Sequence, residues 1–187
     1  MIFSDELKRS TATAHLGLER RIIPHLKKIR SKDDYIRFLD YLHSFYDALD
    51  QRLQPWFSEP GRVSDAARIR QDIRQLDPGF EFTVRESVEV PQVDSYERAL
   101  GVMYVLEGST LGGQIISGML TKQLGDISNA YTYYNPYGES TFEKWNHFKE
   151  KLNQPFTPEQ QQEMIAAANE TFKTLNTWMA DYGSIEA

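Results

Sequence analysis

Apolar residues recur at steps of three and four along most of the chain, which is the spacing of an amphipathic α-helix. The clearest stripe follows Ser31 and consists of Tyr35, Phe38, Leu39, Leu42, Phe45, Tyr46, Leu49, Leu53 and Trp56. A second stripe near the C-terminus consists of Met164, Ile165, Ala168, Phe172, Leu175 and Met179. The pattern therefore predicts an all-α fold.

Capping residues and turn sequences set the expected helix boundaries. The predicted N-caps, three of them paired with an acid or glutamine three residues later, are Ser4, Ser31 with Asp34, Ser140 with Glu143, and Thr157 with Gln160. The predicted helices cover about 5–21, 31–56, 64–76, 95–120, 140–153 and the segment from 157 onward. Turn sequences at 59–61, 77–79 and 125–140 separate them, and Pro24 lies close to the end of the first.

One segment departs from the helical pattern. Residues 80–94, FEFTVRESVEVPQVD, alternate more like a strand, but no partner strand is apparent elsewhere, so we expect an extended connection. The length of 187 residues suits one domain, and 40% hydrophobic with 12% aromatic residues supply a core. We therefore expect a single domain, residues 1–187, of six or seven helices.

The charge is unevenly distributed. The formal net charge of −6 argues against nonspecific binding to nucleic acid. Residues 1–32 hold eight Lys or Arg against three acidic residues, a local charge of +5, so the remainder carries −11. This basic N-terminal edge is either a solvated face or an attractive surface for a small anion or an acidic protein partner.

Cysteine is absent, which excludes disulfides, thiolate zinc sites, iron–sulfur ligation and cysteine nucleophiles. The N-terminal residues MIFSDELKRS contain no apolar signal segment, and the longest apolar run, residues 99–106, is too short to cross a bilayer. We therefore expect a cytoplasmic protein with no membrane and no nucleic-acid partner.

The central predicted helix is unusually rich in glycine, with Gly101, Gly108, Gly112, Gly113 and Gly118. A glycine inside a helix costs about 1 kcal/mol relative to alanine, so some other interaction must compensate. Steps of seven and four place the first three on one face, as a trough where the backbone is bare. The trough holds either the backbone of a neighbouring helix or a flat ligand. The spacing GSTLGG matches neither a dinucleotide fingerprint nor a Walker loop.

Thr11, His15 and Glu19 are four residues apart and form a polar line on the first predicted helix. A carboxylate one turn after a histidine can accept the ring N–H that the histidine does not use for a metal. The other three histidines show no comparable pairing with a carboxylate. His25 follows Pro24 in an expected loop, His43 lies beside the apolar stripe, and His147 has no evident partner.

A lone histidine suffices as the protein ligand for iron that a porphyrin already holds. Such a ligand is flat, largely apolar and negative at its propionates. It suits a histidine on one side, a bare trough on the other and basic residues at the rim. No clustered histidines and carboxylates predict a closed zinc or di-iron site.

These residues resemble the heme oxygenase family. LKRSTATAHLGLE, with Leu7, Thr11, His15 and Glu19, is similar to its proximal helix. YVLEGSTLGGQ, residues 104–114, resembles the distal glycine-rich helix of the bacterial branch, especially the enzymes associated with bacteriophytochromes. The two motifs occur in the family's order, about ninety residues apart, and the resemblance spans most of the chain.

The resemblance implies a multi-helical heme oxygenase-like bundle that opens heme to biliverdin and releases iron and carbon monoxide. His15 would bind the iron, with Glu19 as the acceptor of its Nδ1–H. Heme is then both cofactor and substrate. The heme-binding residues implied are Lys8, Thr11, His15, Glu19, Tyr104 and Lys149, with Arg9 as a further basic neighbour. The catalytic positions implied are Gly108, Ser109, Gly112 and Gly113, where the bare helix leaves room for oxygen.

Ser109 departs from the animal enzymes, which carry an aspartate at that position. Proton delivery would then depend on Ser109, backbone groups and water. Electrons would come from an external donor of the ferredoxin or flavodoxin type, since no flavin or iron–sulfur motif is present. Two alternatives stay open. One is a heme-binding or heme-sensing protein without turnover. The other is a relative on the same helical fold that acts on another small molecule.

Overall fold

The computed structural model of the protein describes residues 2–57, 63–127 and 129–185, and its regular elements there are all helical. The α-helices are α1 (Phe3–Lys28), α2 (Lys32–Leu53), α3 (Asp65–Leu76), α4 (Tyr96–Ser109), α5 (Gly113–Leu124), α6 (Thr141–Leu152) and α7 (Pro158–Ile185). Two 3-10 turns lie at Thr110–Gly112 and Gly138–Ser140. The all-α prediction is confirmed. Among the described residues, no helix combines the length and the apolar character that a membrane span requires.

The long helix α7 is the support on which the site is built. Both α1 and α4 pack along it, and α2 packs chiefly with α3. The apolar stripe predicted for α2 is buried from Tyr35 to Leu53, whereas its last member, Trp56, lies beyond the helix and is exposed. Burial of side chains this large contributes most of the favourable free energy of folding.

The first helix is longer than predicted and begins differently. Ile2 takes the N-cap position, while Ser4 is buried inside the helix and its N–H donates to Asn153 Oδ1 at 2.9 Å. Pro24, expected near the end of the helix, lies inside it and is exposed. The helix continues to Lys28 because Leu26 is buried, and that burial offsets the backbone hydrogen bond that proline cannot make.

The other predicted caps are mostly confirmed. Ser31 and Asp34 form a reciprocal capping box, Ser64 caps α3, and Thr157 with Gln160 opens α7. The cap predicted for Ser140 is wrong, because its side chain makes no capping bond and a 3-10 turn leads directly into α6. Helix α2 ends at Leu53, and the predicted stop at 59–61 lies outside the described residues.

Residues 80–94 form the predicted extended connection, without strand pairing in the described chain. Side-chain bonds replace a sheet ladder there. The Arg85 guanidinium lies 3.1 Å from the buried Asp40 carboxylate and also donates to Ser44, while the Thr83 N–H donates to Asp40 at 3.1 Å. An extended segment can therefore lie against α2 with its polar groups satisfied.

A buried carboxylate holds the loop between α5 and α6. Asp72 on α3 is completely buried and accepts the N–H groups of Thr132 and Tyr133 at 2.8 and 2.9 Å. Burial raises the pKa of Asp72, and the two N–H donors partly oppose that shift. The loop is thus fixed to α3 through one side chain.

We expect Asp72→Asn to lower the free energy of unfolding by about 1–3 kcal/mol. The amide offers one acceptor oxygen and turns an NH2 group toward the second N–H. Urea denaturation followed by circular dichroism at pH 7 measures the change. The matched control is Asp47→Asn, which weakens a half-exposed pair with Arg70 at 3.1 Å and should cost less than about 1 kcal/mol. Equal losses in the two variants would contradict the role of Asp72 in fixing the loop to α3.

Candidate active site

The central glycine-rich helix is broken rather than continuous. Helix α4 ends at Ser109, a 3-10 turn covers Thr110–Gly112, and α5 starts at Gly113. Two hydroxyl groups bond to backbone carbonyls at the break: Ser109 Oγ to Leu106 O at 2.7 Å and Thr110 Oγ1 to Glu107 O at 2.6 Å. Such local bonds compete with the regular helical pattern, and glycine adds little helical preference of its own. The prediction of one helix over 95–120 is wrong for this reason.

The central glycines divide into two kinds. Side-chain atoms at Gly101 or Gly113 would overlap a backbone carbonyl, that of Met164 on α7 or of Tyr134 in the loop. These two glycines permit close backbone packing. A Cβ at Gly112 or Gly118 would meet no non-local atom within 4 Å, and one at Gly108 would make ordinary contact with a tryptophan ring at 3.6 Å. Close packing of backbones, one of the two alternatives that the sequence left open, is therefore realised at Gly101 and Gly113, while a flat ligand at the open glycines stays a prediction.

This division corrects the grouping of Gly113 with Gly108 and Gly112. Gly113 is buried against the Tyr134 carbonyl and does not border open space. Gly101 shares a helix face with Gly108 by spacing, yet it lies against the backbone of α7.

We define the candidate groove as the space between α1 and the broken helix, which two contacts span. Near one end the Thr11 and Tyr104 hydroxyl groups are hydrogen bonded, which opposes the rise that burial causes in the Tyr104 pKa. At the other end Gln123 Nε2 donates to the carbonyls of Leu26 and Ile29 at 3.0 and 2.9 Å. Between these ties Gly112 and Gly118 face open space.

An open depression of about 590 Å³ lies against α5, and its lining includes Gln123, which also contacts α1. Its lining residues share one face of α5 and are Gln114, Ile115, Gly118, Met119, Lys122 and Gln123. Exposed apolar side chains accompany it on the bordering elements: Leu16 on α1, Leu111 in the 3-10 turn and Ile115 on α5. A cavity of this size with apolar walls and few polar groups is typical of a small-molecule site.

His15 is placed on α1 with its side chain 56% exposed, and its Nε2 lies 3.2 Å from Glu19 Oε1. The ring also packs against Phe172 of α7, with centroids 5.4 Å apart. The pairing with Glu19 is present, but through Nε2, whereas the sequence expectation assigned Nδ1. Thr11, the third member of the polar line, is buried and donates to the Leu7 carbonyl of the same helix at 2.8 Å, and its interaction with Tyr104 connects α1 to α4.

The other three histidines have different surroundings. His25 lies in α1, not in a loop, with its ring 5.2 Å from Tyr182. His43 contacts Arg70 Nη1 at 2.9 Å, and burial followed by the Arg70 charge lowers its pKa. His147 is exposed and lies 3.4 Å from a Glu150 carboxylate oxygen, a partner that the sequence did not suggest. No group of three or more metal-ligating side chains occurs within the described ranges.

The predicted rim cations are placed unevenly. Lys8 and Arg9 are exposed on α1, and Lys149 on α6 is half-buried. Sequence reasoning missed Lys122, which lines the cavity, together with Ile115 and Met119. Their steps of four and three along α5, on the face that also carries Gly118, were the available signal.

Trp145 on α6 is a further residue beside the break. A Cβ placed on Gly108 would lie 3.6 Å from its ring. The ring centroid lies 5.8 Å from that of Tyr104. A bulky ring against a bare glycine closes one side of the break. It leaves Ser109, exposed at the end of α4, beside open space.

We expect Gly113→Ala to lower the free energy of unfolding by about 3 kcal/mol, because the new methyl group collides with the Tyr134 carbonyl. Gly112→Ala is the control. Its backbone, φ −88° and ψ −8°, suits any residue, and the change should be neutral or stabilising by less than about 1 kcal/mol. Thermal and urea unfolding of both variants measures the difference. A larger loss at Gly112 would overturn the division of the glycines.

Comparison with known proteins identifies the fold. Heme oxygenase from Neisseria meningitidis, with NO and CO bound, superposes with a TM-score of 0.74 at 24% identity and covers 97% of this chain and 92% of that one. Heme oxygenase-1 from Synechocystis sp. PCC6803, in complex with heme, gives 0.75 at 15% identity, with 98% and 93% covered. Heme oxygenase from Leptospira interrogans gives 0.72 at 16% identity, with 97% and 100% covered.

Sequence similarity agrees. A heme oxygenase of Xanthomonas campestris pv. campestris (strain 8004) is 27% identical over 154 residues, which are 79% of this chain and 90% of that protein. The heme oxygenase family model matches residues 63–181, a segment that contains the broken helix and begins after α1. The protein thus belongs to the heme oxygenase family, a family of heme-degrading enzymes.

Proposed function

We propose that this heme oxygenase opens heme to biliverdin with release of iron and carbon monoxide, and that His15 would hold the iron. The observation that supports the proposal is a half-exposed histidine paired with a carboxylate on α1, together with a broken helix whose Gly112 and Gly118 border open space. When bound, heme supplies both the iron that activates oxygen and the ring that is oxidised.

The groove suits heme in size, shape and charge. A cavity of about 590 Å³ lies in the range of small-molecule sites, and Gly112 and Gly118 leave a flat surface on which a macrocycle can lie. Exposed Leu111 and Ile115 offer apolar contact. Cations for the propionates are available at Lys8 and Lys149, as the resemblance implies, and at Lys122 on the cavity wall.

His15 needs a small adjustment to act as a ligand through Nε2. Nε2 now faces Glu19, so a half-turn of the ring about Cβ–Cγ exchanges the two nitrogens. This torsion is broad and two-fold, so its cost is small. Glu19 would then accept Nδ1–H, fix the tautomer and raise the basicity of the ligating nitrogen.

The chain supplies a proton-handling group beside the open part of the groove. The Ser109 hydroxyl is exposed at the end of α4 and donates to the Leu106 carbonyl, which leaves its oxygen free to accept a hydrogen bond from water. Ser109 can therefore hold a water in place, a role that elsewhere in the family an aspartate performs.

Electrons must reach the site from another protein. The eight basic residues of the N-terminal edge are all exposed: Lys8, Arg9, Arg20, Arg21, Lys27, Lys28, Arg30 and Lys32. We propose this edge as the docking surface for an acidic donor of the ferredoxin or flavodoxin type. Complementary charge of this kind acts mainly on the association rate and weakens with salt.

The first experiment is an anaerobic hemin titration of the purified protein, followed by air and a reducing system, with absorption recorded throughout. We expect one heme per chain, a Soret band, and its decay into the broad red absorption of biliverdin. A stable Soret band would indicate a binding protein without turnover. The absence of any Soret band would overturn the heme site.

His15→Ala should lose the ferric histidine spectrum and slow heme loss by at least about tenfold, because the iron loses its protein ligand. His147→Ala is the matched control, since that side chain is exposed on α6 and pairs only with a surface carboxylate in the described structure. Optical spectra and single-turnover rates of both variants decide the assignment. A normal spectrum in His15→Ala would show that another group binds the iron.

Arg20→Glu should slow turnover driven by a ferredoxin-type donor by about threefold or more at low salt, because it reverses charge on the docking edge. Heme affinity and turnover driven by ascorbate should stay unchanged. Arg52→Glu is the control: it makes the same charge change at an exposed position of α2, outside the basic N-terminal edge. Steady-state rates against ionic strength test the surface. Equal slowing by both variants would point to net charge alone.

A further inference from the structure

A buried chain of polar groups lies directly behind the helix break. Glu107, the residue before Gly108, is buried, and its Oε2 accepts the Tyr137 hydroxyl at 2.9 Å. The same hydroxyl accepts Arg68 Nη2 at 3.1 Å, and the Arg68 guanidinium lies 5.0 Å from the centre of the Tyr137 ring. Arg68 and Asp65, which pair at 3.7 Å, are both buried on α3.

Tyr137 is the link in this chain that joins two elements. Its hydroxyl donates to α4 and accepts from α3, so one oxygen connects the broken helix to the helix behind it. Burial, and next the Glu107 charge, raises the pKa of Tyr137, so the phenol stays protonated at neutral pH and remains a donor. Buried charges require such partners, and bonds in a low-dielectric interior reinforce one another.

The loop that carries Tyr137 also braces the other side of the break. The Tyr134 carbonyl packs against Gly113 at the start of α5, and Gln114 Nε2 donates to the Gly138 carbonyl at 3.1 Å. Asp72 on α3 holds the same loop through two N–H groups. One loop therefore contacts α4 before the break and α5 after it, and α3 anchors that loop.

On the opposite side, the front of the break, the described residues form no such hydrogen-bonded chain. Gly112 faces open space, and the 3-10 turn has low intrinsic helical preference. The position of the break is then set by the chain from Glu107 through Tyr137 to Arg68 and by the loop that carries Tyr137. A displacement there would move Gly108 and Ser109 relative to a ligand in the groove.

We propose that Tyr137 is a positioning residue for heme degradation: by joining Glu107 to Arg68 it fixes the helix break over the ring and selects the ring position that is oxidised. It acts through Glu107 and does not touch heme itself. This role rests on the heme opening proposed above, and the first test needs no heme.

The first test is hydrogen exchange of the apo protein at residues 105–114. Tyr137→Phe should raise exchange there about tenfold, because the Glu107 carboxylate loses its phenolic donor. Tyr35→Phe is the matched control: it removes a buried hydroxyl that bonds to the loop at the Ala130 carbonyl, 2.9 Å away, but leaves the chain to Glu107 intact. Its effect at 105–114 should be less than about threefold. Equal effects from both variants would overturn the proposal.

The second test uses heme. Tyr137→Phe should keep the ferric spectrum and heme affinity of the wild type, slow single-turnover heme loss about tenfold and broaden the distribution of biliverdin isomers. Faster exchange with an unchanged rate and unchanged isomers would reduce Tyr137 to a structural residue and overturn the proposal. If the wild-type protein binds heme without degrading it, the proposed function fails. The exchange data alone then confirm or reject the role of Tyr137 in fixing the helix break.

A double-mutant cycle tests whether the effect passes through Glu107. Glu107→Gln keeps an acceptor oxygen but removes the negative charge to which Tyr137 donates, and which lies close to the Arg68 guanidinium. The effect of Tyr137→Phe on exchange at 105–114 should be smaller in the Glu107→Gln background than in the wild type. Additive effects of the two changes would overturn the coupling.

Discussion

The close approach of α4 to α7 at Gly101 is the contact on which the site depends. No side chain larger than a hydrogen fits between this residue and the Met164 carbonyl, so the two backbones lie against each other. Because α1 packs along the same α7, the two helices are held side by side on one support. Thr11 with Tyr104 joins α1 to α4, and Gln123 on α5 joins the broken helix to the end of α1. A groove between them is the geometric consequence.

Periodicity and capping rules predicted the parts of the fold that local interactions determine. The stripe from Tyr35 to Leu53 has one buried face, and the Ser31–Asp34 box closes within four residues, so both could be read from sequence. The errors at Ser4 and Pro24 have a distant cause. Asn153 caps the start of α1 and the burial of Leu26 extends its end, and neither can be inferred from the neighbouring residues.

The candidate site was predictable in composition but not in arrangement. His15 with Glu19 and the glycine cluster were visible in the sequence, since each depends on spacing within one helix. Which glycines pack and which stay bare depends on the atoms opposite, such as the Tyr134 carbonyl, and no spacing rule contains that information. The same holds for Trp145 and Tyr137, because their contacts with the break come from other elements of the fold.

The helix break is supported on the side of Tyr137 and open on the side of Gly112, and this asymmetry has a functional consequence. A helix end that packed on both sides would be rigid but would leave no room for a ligand, while one free on both sides would not hold a ligand in a single orientation. Here the loop and α3 supply the fixed side through Tyr134 and Tyr137, and bound heme would supply the other. The glycines that weaken the helix are therefore useful only because buried charges on α3 restrain it.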